Sequence, residues 1–240
     1  MNASQIELSL SPALYGYRSL KAGHTTVAVD VLRATTAVCA AFAAGASEVV
    51  PLEHLDELTA YAGRGYVLAA ERGGKKVEGA EYGNSPTEYR RTNLEGKKIA
   101  YSTTNGTVCI NRGSDADRTL VGCFSNLSAL AERLTRDPQD LVILCSGWLN
   151  EFSMEDTLFA GALCQRLLAS GKYRSSHDPV HAAIGLWEHC GGDPYRYCIA
   201  HASHVQRLMG FGAEEDIAFA FEQDTCRKVP ELHNGTLTCR

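Results

Sequence analysis

The stretch Thr25–Ala46, TTVAVDVLRATTAVCAAFAAGA, restricts the fold of this chain more than any other. Val27, Val29 and Val31 are β-branched and alternate with small residues, which predicts a strand over Thr25–Val31. From Leu32 the pattern changes to Ala, Leu, Val and Phe, as expected of a helix packed closely on a sheet. Thr35 and Thr36 can act as local caps, and Gly45 is a natural stop. Asp30 and Arg33 therefore fall on a strand-to-helix turn, at the carboxyl end of a strand, where open α/β sheets bind ligands. A carboxylate and a guanidinium side by side can hold a cation and an oxyanion together. A structural Asp–Arg pair in a turn is the plainer account of the same residues.

Strand, polar turn, helix and strand recur along the chain. Ile6, Leu8 and Leu10 alternate with polar residues up to Pro12, and strands follow at Ser47–Leu52 and Tyr66–Ala70. Lys98–Ser102, Thr119–Cys123 and Leu141–Cys145 complete the set. Helices are expected over His54–Ala62, after Pro86, from Val108, and over Asn126–Arg133, Ser153–Leu168, Val180–Cys190 and Glu214–Phe221. The tail Asn234–Arg240 is polar and expected to be loose. This order predicts an α/β fold, a mainly parallel sheet covered by helices on both faces. At 240 residues it suits a single compact domain. The similar βα succession in Thr25–Pro51 and Lys98–Cys123 hints at two related halves, about 1–97 and 98–240.

A net charge of −5 offers no broad basic surface for nucleic acid or an acidic membrane. No apolar run reaches the length of a membrane span, and residues 1–17 lack the pattern of a signal peptide. Nine cysteines, an odd number scattered through apolar segments without a Cys-x-x-Cys, fit a reducing compartment, so the cytoplasm is expected.

Four polar clusters end predicted strands: Asp30/Arg33, Glu71/Arg72, Thr103–Thr107, and Ser146-Gly147 leading to Glu155/Asp156. In a parallel sheet these turns can converge on one edge. Asp30, Glu71, Glu155 and Asp156 supply the hard oxygen ligands that Mg²⁺ takes together with water and a substrate phosphate. Acidic residues also favour a helix N-terminus for its dipole alone, which is the simpler account of Glu155 and Asp156. Thr103, Thr104, Asn105, Gly106 and Thr107 could cradle phosphate oxygens, or form a plain capped turn. No nucleotide-binding glycine motif occurs.

Three further patterns are weaker. His189-Cys190 through Arg196 fits the His-Cys-five-residues-Arg spacing of cysteine phosphatases, but a helix precedes it, Asp193 brings a negative charge and Pro194 lacks an N–H. Asp30-Val31-Leu32 resembles the start of haloacid-dehalogenase-type phosphatases without their second Asp. His177/His181 and His201/His204 have helical spacing that could bind zinc, yet lack further ligands and read as surface or core histidines.

Taken in order, Asp30-Val31-Leu32-Arg33-Ala34-Thr35, Glu71-Arg72-Gly73, Gly83-Asn84-Ser85-Pro86, Thr103-Thr104-Asn105-Gly106-Thr107, and Cys145-Ser146-Gly147 with Glu155-Asp156 resemble the ComB-type 2-phosphosulfolactate phosphatases. The resemblance runs from Thr25 to Pro230. It implies a Mg²⁺-dependent hydrolase that releases phosphate from 2-phospho-3-sulfolactate, leaving 3-sulfolactate for coenzyme M or related sulfonate pathways. It further implies catalytic roles for Asp30, Arg33 and Glu155, and metal ligation by Asp30, Glu71, Glu155 and Asp156. The small anionic phosphoester would be held by Arg33, Arg72, Asn84, Thr103, Thr104, Asn105, Gly106, Thr107 and Gly147. A homodimer is compatible with it. A non-catalytic anion-binding protein on the same scaffold, or a cysteine phosphatase using Cys190, is the alternative.

Overall fold

Alternation sets the strands and decides what each face touches. In the computed structural model, which describes residues 3–239, the organising strand β2 spans His24–Val29. β1 is Ser4–Ser9, and a short helix α1, Pro12–Tyr15, lies between the two. Helix α2, Ala34–Ala43, leads to β3, Glu48–Leu52; a 3₁₀ turn over Asp56–Ala60 replaces the predicted α-helix there. β4, Tyr66–Arg72, turns back through β5, Lys75–Lys76, before α3, Pro86–Arg90. β6 is Lys98–Ser102, α4 Gly106–Arg112, β7 Arg118–Gly122 and α5 Leu127–Arg136. β8, Asp140–Cys145, precedes the long α6, Met154–Ala169, and β9, Tyr173–Arg174. Four helices follow: α7 Asp178–His189, α8 Pro194–His201, α9 Ser203–Met209 and α10 Glu214–Ala220. The chain closes with β10, Glu231–His233, and β11, Thr236–Thr238.

Among the described residues these strands form one sheet, in the order β5-β4-β6-β3-β11-β10-β7-β2-β8-β1-β9. β7, β2, β8 and β1 run parallel, and so do β3, β6 and β4. The hairpin β10–β11 joins the two groups by antiparallel pairing on both sides, to β7 and to β3. The tail through Thr238 is therefore not loose; Arg240 lies outside the described residues. Leu232 and Leu237 pair across the hairpin, and Leu237, fully buried, sits opposite Val49 of β3. The mainly parallel α/β architecture with helices on both faces matches the sequence reading.

The pleat divides each strand between two cores. Val27 and Val29 of β2 join Leu141 and Ile143 of β8 against α6, α7 and α9. Ala28, Val142 and Leu144 face the other way, onto α2. Val49, Val67, Ile99 and Tyr101, from the other strand group, meet that same helix. α2 thus lies between the two groups, with every residue from Ala34 to Phe42 buried. Its alanines, Thr35, Thr36 and Cys39 let strands approach from both sides, which a Leu-rich helix would prevent. No described helix is long and apolar enough to cross a membrane.

Because the hairpin fills the gap between β7 and β3, Leu237→Ala should lower unfolding free energy by about 2–5 kcal/mol, the usual loss for a buried leucine. Leu14→Ala, at a half-exposed position, should change it by less than about 0.5 kcal/mol. Equilibrium urea unfolding measures both; equal small losses would show that the hairpin adds nothing to the core.

Candidate functional site

The turn after β2 is built by the two threonines that follow it. Thr35 Oγ1 donates to the Asp30 carbonyl at 2.8 Å and accepts from the Asp30 N–H at 3.0 Å. Thr36 Oγ1 donates to the Val31 carbonyl at 2.8 Å. Asp30 Oδ1 accepts the Ala34 N–H at 3.2 Å, so the carboxylate lies over the start of α2. The Leu32–Arg33 peptide is cis. Against this turn comes the start of α4: a Cβ on Gly106 would lie 2.1 Å from Ala34 Cβ and 2.6 Å from Asp30 Oδ2. Only glycine lets the two helix starts approach so closely.

Asp156 holds the next wall. Its Oδ1 accepts the Val31 N–H at 2.8 Å, and its Oδ2 accepts the Gly147 N–H and the Ser146 hydroxyl, each at 3.2 Å. Gly147 has φ 60°, and a side chain there would strike the Glu151 carbonyl.

Arg33 is fixed by residues distant in sequence. Its Nη1 donates to Asp216 Oδ2 at 2.7 Å and its Nη2 to the Gly74 carbonyl at 3.0 Å, with both ionic partners buried. The other Asp216 oxygen accepts from Ser85 Oγ at 2.7 Å and Thr87 Oγ1 at 2.6 Å, which ties the Gly83–Pro86 turn to the same arginine. Glu71 accepts from the Gly74 N–H and, at 3.3–3.4 Å, from the Thr104 N–H and hydroxyl.

These walls enclose a small polar pocket. Asp30, Arg33, Glu71, Asn84, Thr103 and Asn105 line it, as the sequence led one to expect. Thr104, Gly106, Thr107 and Gly147 support the walls without lining them. Thr103 and Thr107 cap α4 reciprocally, each hydroxyl accepting the other's N–H at 3.1 Å. Arg72 turns away from the pocket, onto the Glu71 and Glu53 carbonyls and Ser102 Oγ. Glu155 and Asp156 are buried behind the lining.

The lining also includes residues that sequence reading missed: Trp148, His204 and Arg207. Glu155 Oε1 meets His204 Nδ1 at 2.8 Å, and the imidazole stacks on Trp148 with centroids 5.1 Å apart. Arg207 lies over the other ring system, its guanidinium carbon 3.8 Å from the Trp148 centroid, and its Nη2 is 3.3 Å from His204 Nε2. His204, set aside above as a surface or core histidine, lies at the pocket. A signal existed: His204, Arg207 and Leu208 share one helical face at i, i+3 and i+4.

Burial pushes the Asp30 carboxyl up to about 6; the Ala34 N–H and His204 pull it down, while Glu71 and Glu155 add to the rise. Burial likewise raises Asp156, and the neighbouring charges of Asp30 and Glu155 act in the same direction. Among the described residues no three His, Cys, Asp or Glu side chains form a ready cation cage. Mg²⁺ needs less, since it uses one or two carboxylates with water and substrate oxygens. Glu155 Oε2 is buried without any hydrogen-bond partner, and its charge acts on Asp30. That orphaned oxygen and the Asp30 carboxylate fit a hard cation.

Cys190 stands apart. It ends α7 and lines a separate cavity with Asp193 and Arg196, and burial raises its thiol instead of favouring a thiolate.

Fold and site together define an α/β protein with a polar pocket, lined by carboxylates and arginines, where its strands end. The chain belongs to the 2-phosphosulpholactate phosphatase family, whose model matches residues 12–235. A protein named probable 2-phosphosulfolactate phosphatase from Thermotoga maritima is 37% identical over 211 residues, 88% of this chain and 90% of the relative. A protein of that name from Caldanaerobacter subterraneus subsp. tengcongensis is 34% identical over 222 residues, 91% of each. Another, from Prochlorococcus marinus (strain MIT 9313), is 37% identical over 212 residues, 85% of this chain and 87% of the relative.

Two outcomes follow. Gly106→Ala should cost about 1–3 kcal/mol, as overpacking does, because backbone or Asp30 must move; wild-type stability in denaturant unfolding would contradict the close approach. In metal-free buffer, native Asp30 keeps a proton to about pH 6 that the unfolded chain loses near its ordinary value. Its contribution to stability is therefore present at low pH and lost as pH rises through about 6. Between about pH 4 and 7, wild-type melting temperature should fall relative to that of Asp30→Asn. Parallel pH profiles would refute the raised carboxyl.

Proposed function

We propose that this protein is a phosphoric monoester hydrolase that converts 2-phospho-3-sulfolactate and water to 3-sulfolactate and inorganic phosphate. The observation that carries this reading is the meeting of Asp30, Arg33 and the Thr103–Asn105 turn in one pocket of a chain that the family model matches almost throughout. Phosphate monoesters hydrolyse extremely slowly in water, so the site must position the ester and neutralise its oxygens.

The chain's own groups suit that task. Arg33 lines the pocket, and Asp216 and Gly74 fix its guanidinium through two of its five N–H donors. The Asn84 and Asn105 amides and Thr103 add neutral polar contacts around the same space. Glu155 engages His204 through Nδ1 and Arg207 Nη2 meets its Nε2, so both ring nitrogens are taken and the imidazole is fixed at the pocket. During hydrolysis the phosphorus–C2 oxygen bond breaks and a phosphorus–water oxygen bond forms. Water loses one proton and the leaving oxygen gains one. Asp30 and Glu155 would hold Mg²⁺, which when bound supplies a Lewis acid for a phosphoryl oxygen. The nine cysteines are all unpaired, eight of them buried, in keeping with the cytoplasm as the working compartment.

Phosphate release from 2-phospho-3-sulfolactate, with and without Mg²⁺, tests the reading. Asp30→Asn should lower turnover by about a hundredfold or more, the size of loss typical of a preorganised electrostatic group. Arg33→Lys should lose about tenfold or more, because Lys keeps the charge but not the planar fork. Cys190→Ser should keep near-wild-type turnover. Activity that survives Asp30→Asn, or disappears in a folded Cys190→Ser, would overturn the assignment.

A further inference from the structure

The pocket has two arginines, and their surroundings differ. Arg33 is neutralised by buried Asp216 and bonded to a carbonyl. Arg207 has no carboxylate bridging to it among the described residues, and its Nε is buried with no hydrogen-bond partner. Its one polar contact is a nitrogen of His204 at 3.3 Å, and its flat face rests on Trp148. Burial also lowers its pKa, as expected of a guanidinium short of water. Arg207 is thus a cation without a carboxylate partner among the described residues, held against Trp148, and it lines the pocket. Asp30 and Arg33 line the same pocket.

Resting on the function proposed above, we propose that Arg207, flattened against Trp148, binds the sulfonate of the substrate and sets the preference for sulfonated over plain phosphohydroxy acids. Phosphate and carboxylate oxygens are basic and suit a hard cation, so they belong with the carboxylate wall at Asp30. A sulfonate, the anion of a strong acid, is a poor metal ligand and stays charged at any working pH. It needs a cation that is always charged, weakly hydrated and able to present two parallel N–H groups, which is a guanidinium. Trp148 covers one face of that guanidinium, keeps water from it and restricts rotation, so little order has to be gained when the anion arrives. His204 touches both Arg207 and Glu155, which links this subsite to the buried carboxylate.

The test compares 2-phospho-3-sulfolactate with 2-phospholactate, which lacks only the sulfonate, in saturating Mg²⁺. For wild type, Arg207→Ala, Arg207→Lys and Trp148→Ala, kcat and KM are measured on both, with a thermal melt to check folding. The ratio of kcat/KM, sulfonated over plain, should fall by about tenfold to a hundredfold in Arg207→Ala, the worth of a charge-assisted contact. It should fall less in Arg207→Lys, with Trp148→Ala between them. An equal loss on both substrates would overturn the proposal and assign Arg207 to the phosphate or to packing. An unchanged ratio would place the sulfonate elsewhere. Should wild type release phosphate from neither substrate, the hydrolase reading fails by itself, and calorimetric binding of 3-sulfolactate against lactate decides the Arg207 question. Preferential binding of 3-sulfolactate, lost in Arg207→Ala, supports the subsite; equal binding by both proteins rejects it.

Discussion

One buried carboxylate sets the spacing of the site. Asp156, in the first turn of α6, receives hydrogen bonds from the backbone after β2 and from the backbone and hydroxyl after β8. A charge taken out of water is costly unless donors surround it, and those three groups offset the cost. Val31 follows Asp30 directly, and Gly147 precedes Trp148 directly. The distance between the carboxylate wall and the aromatic wall therefore depends on a side chain that lines neither. A shorter or longer acid at 156 would alter the width of the pocket before it altered any group that meets a ligand.

Two strand groups meet at this edge, and neither carries the site alone. β2 and β8 bring Asp30 and Trp148; β4 and β6 bring Glu71 and Thr103. α2 packs against both groups, and Gly106 lets the start of α4 reach Asp30. The helices after Asp178 then close the third side, with Asp216 on Arg33 and His204 on Glu155. Local turns place the acids and the threonines, while long-range packing gives them their partners.

That division explains what could be read from the sequence. The Asp30/Arg33 turn was legible because the change of period from strand to helix is a local signal, and the same holds for the strand ends at Glu71 and Thr103. Arg72 stood beside Glu71 in the sequence, but consecutive residues of a strand point to opposite faces, and only Glu71 turns inward. Asp216 lies 183 positions from Arg33, so no spacing rule joins them. His204 and Arg207 sit in a run of ordinary short helices, and only the fold shows which face meets Trp148. The hairpin over Glu231–Thr238 escaped notice because three-residue strands are too short for alternation to register, and their polar neighbours suggest a tail.

The position of that hairpin bears on how the protein is made. Its strands leave the ribosome after every other strand described, yet they occupy the middle of the sheet. Until they arrive, β3 and β7 present open edges of the kind that pair with other chains. The nascent protein passes through a stage with nearly all its helices available and its sheet in two pieces.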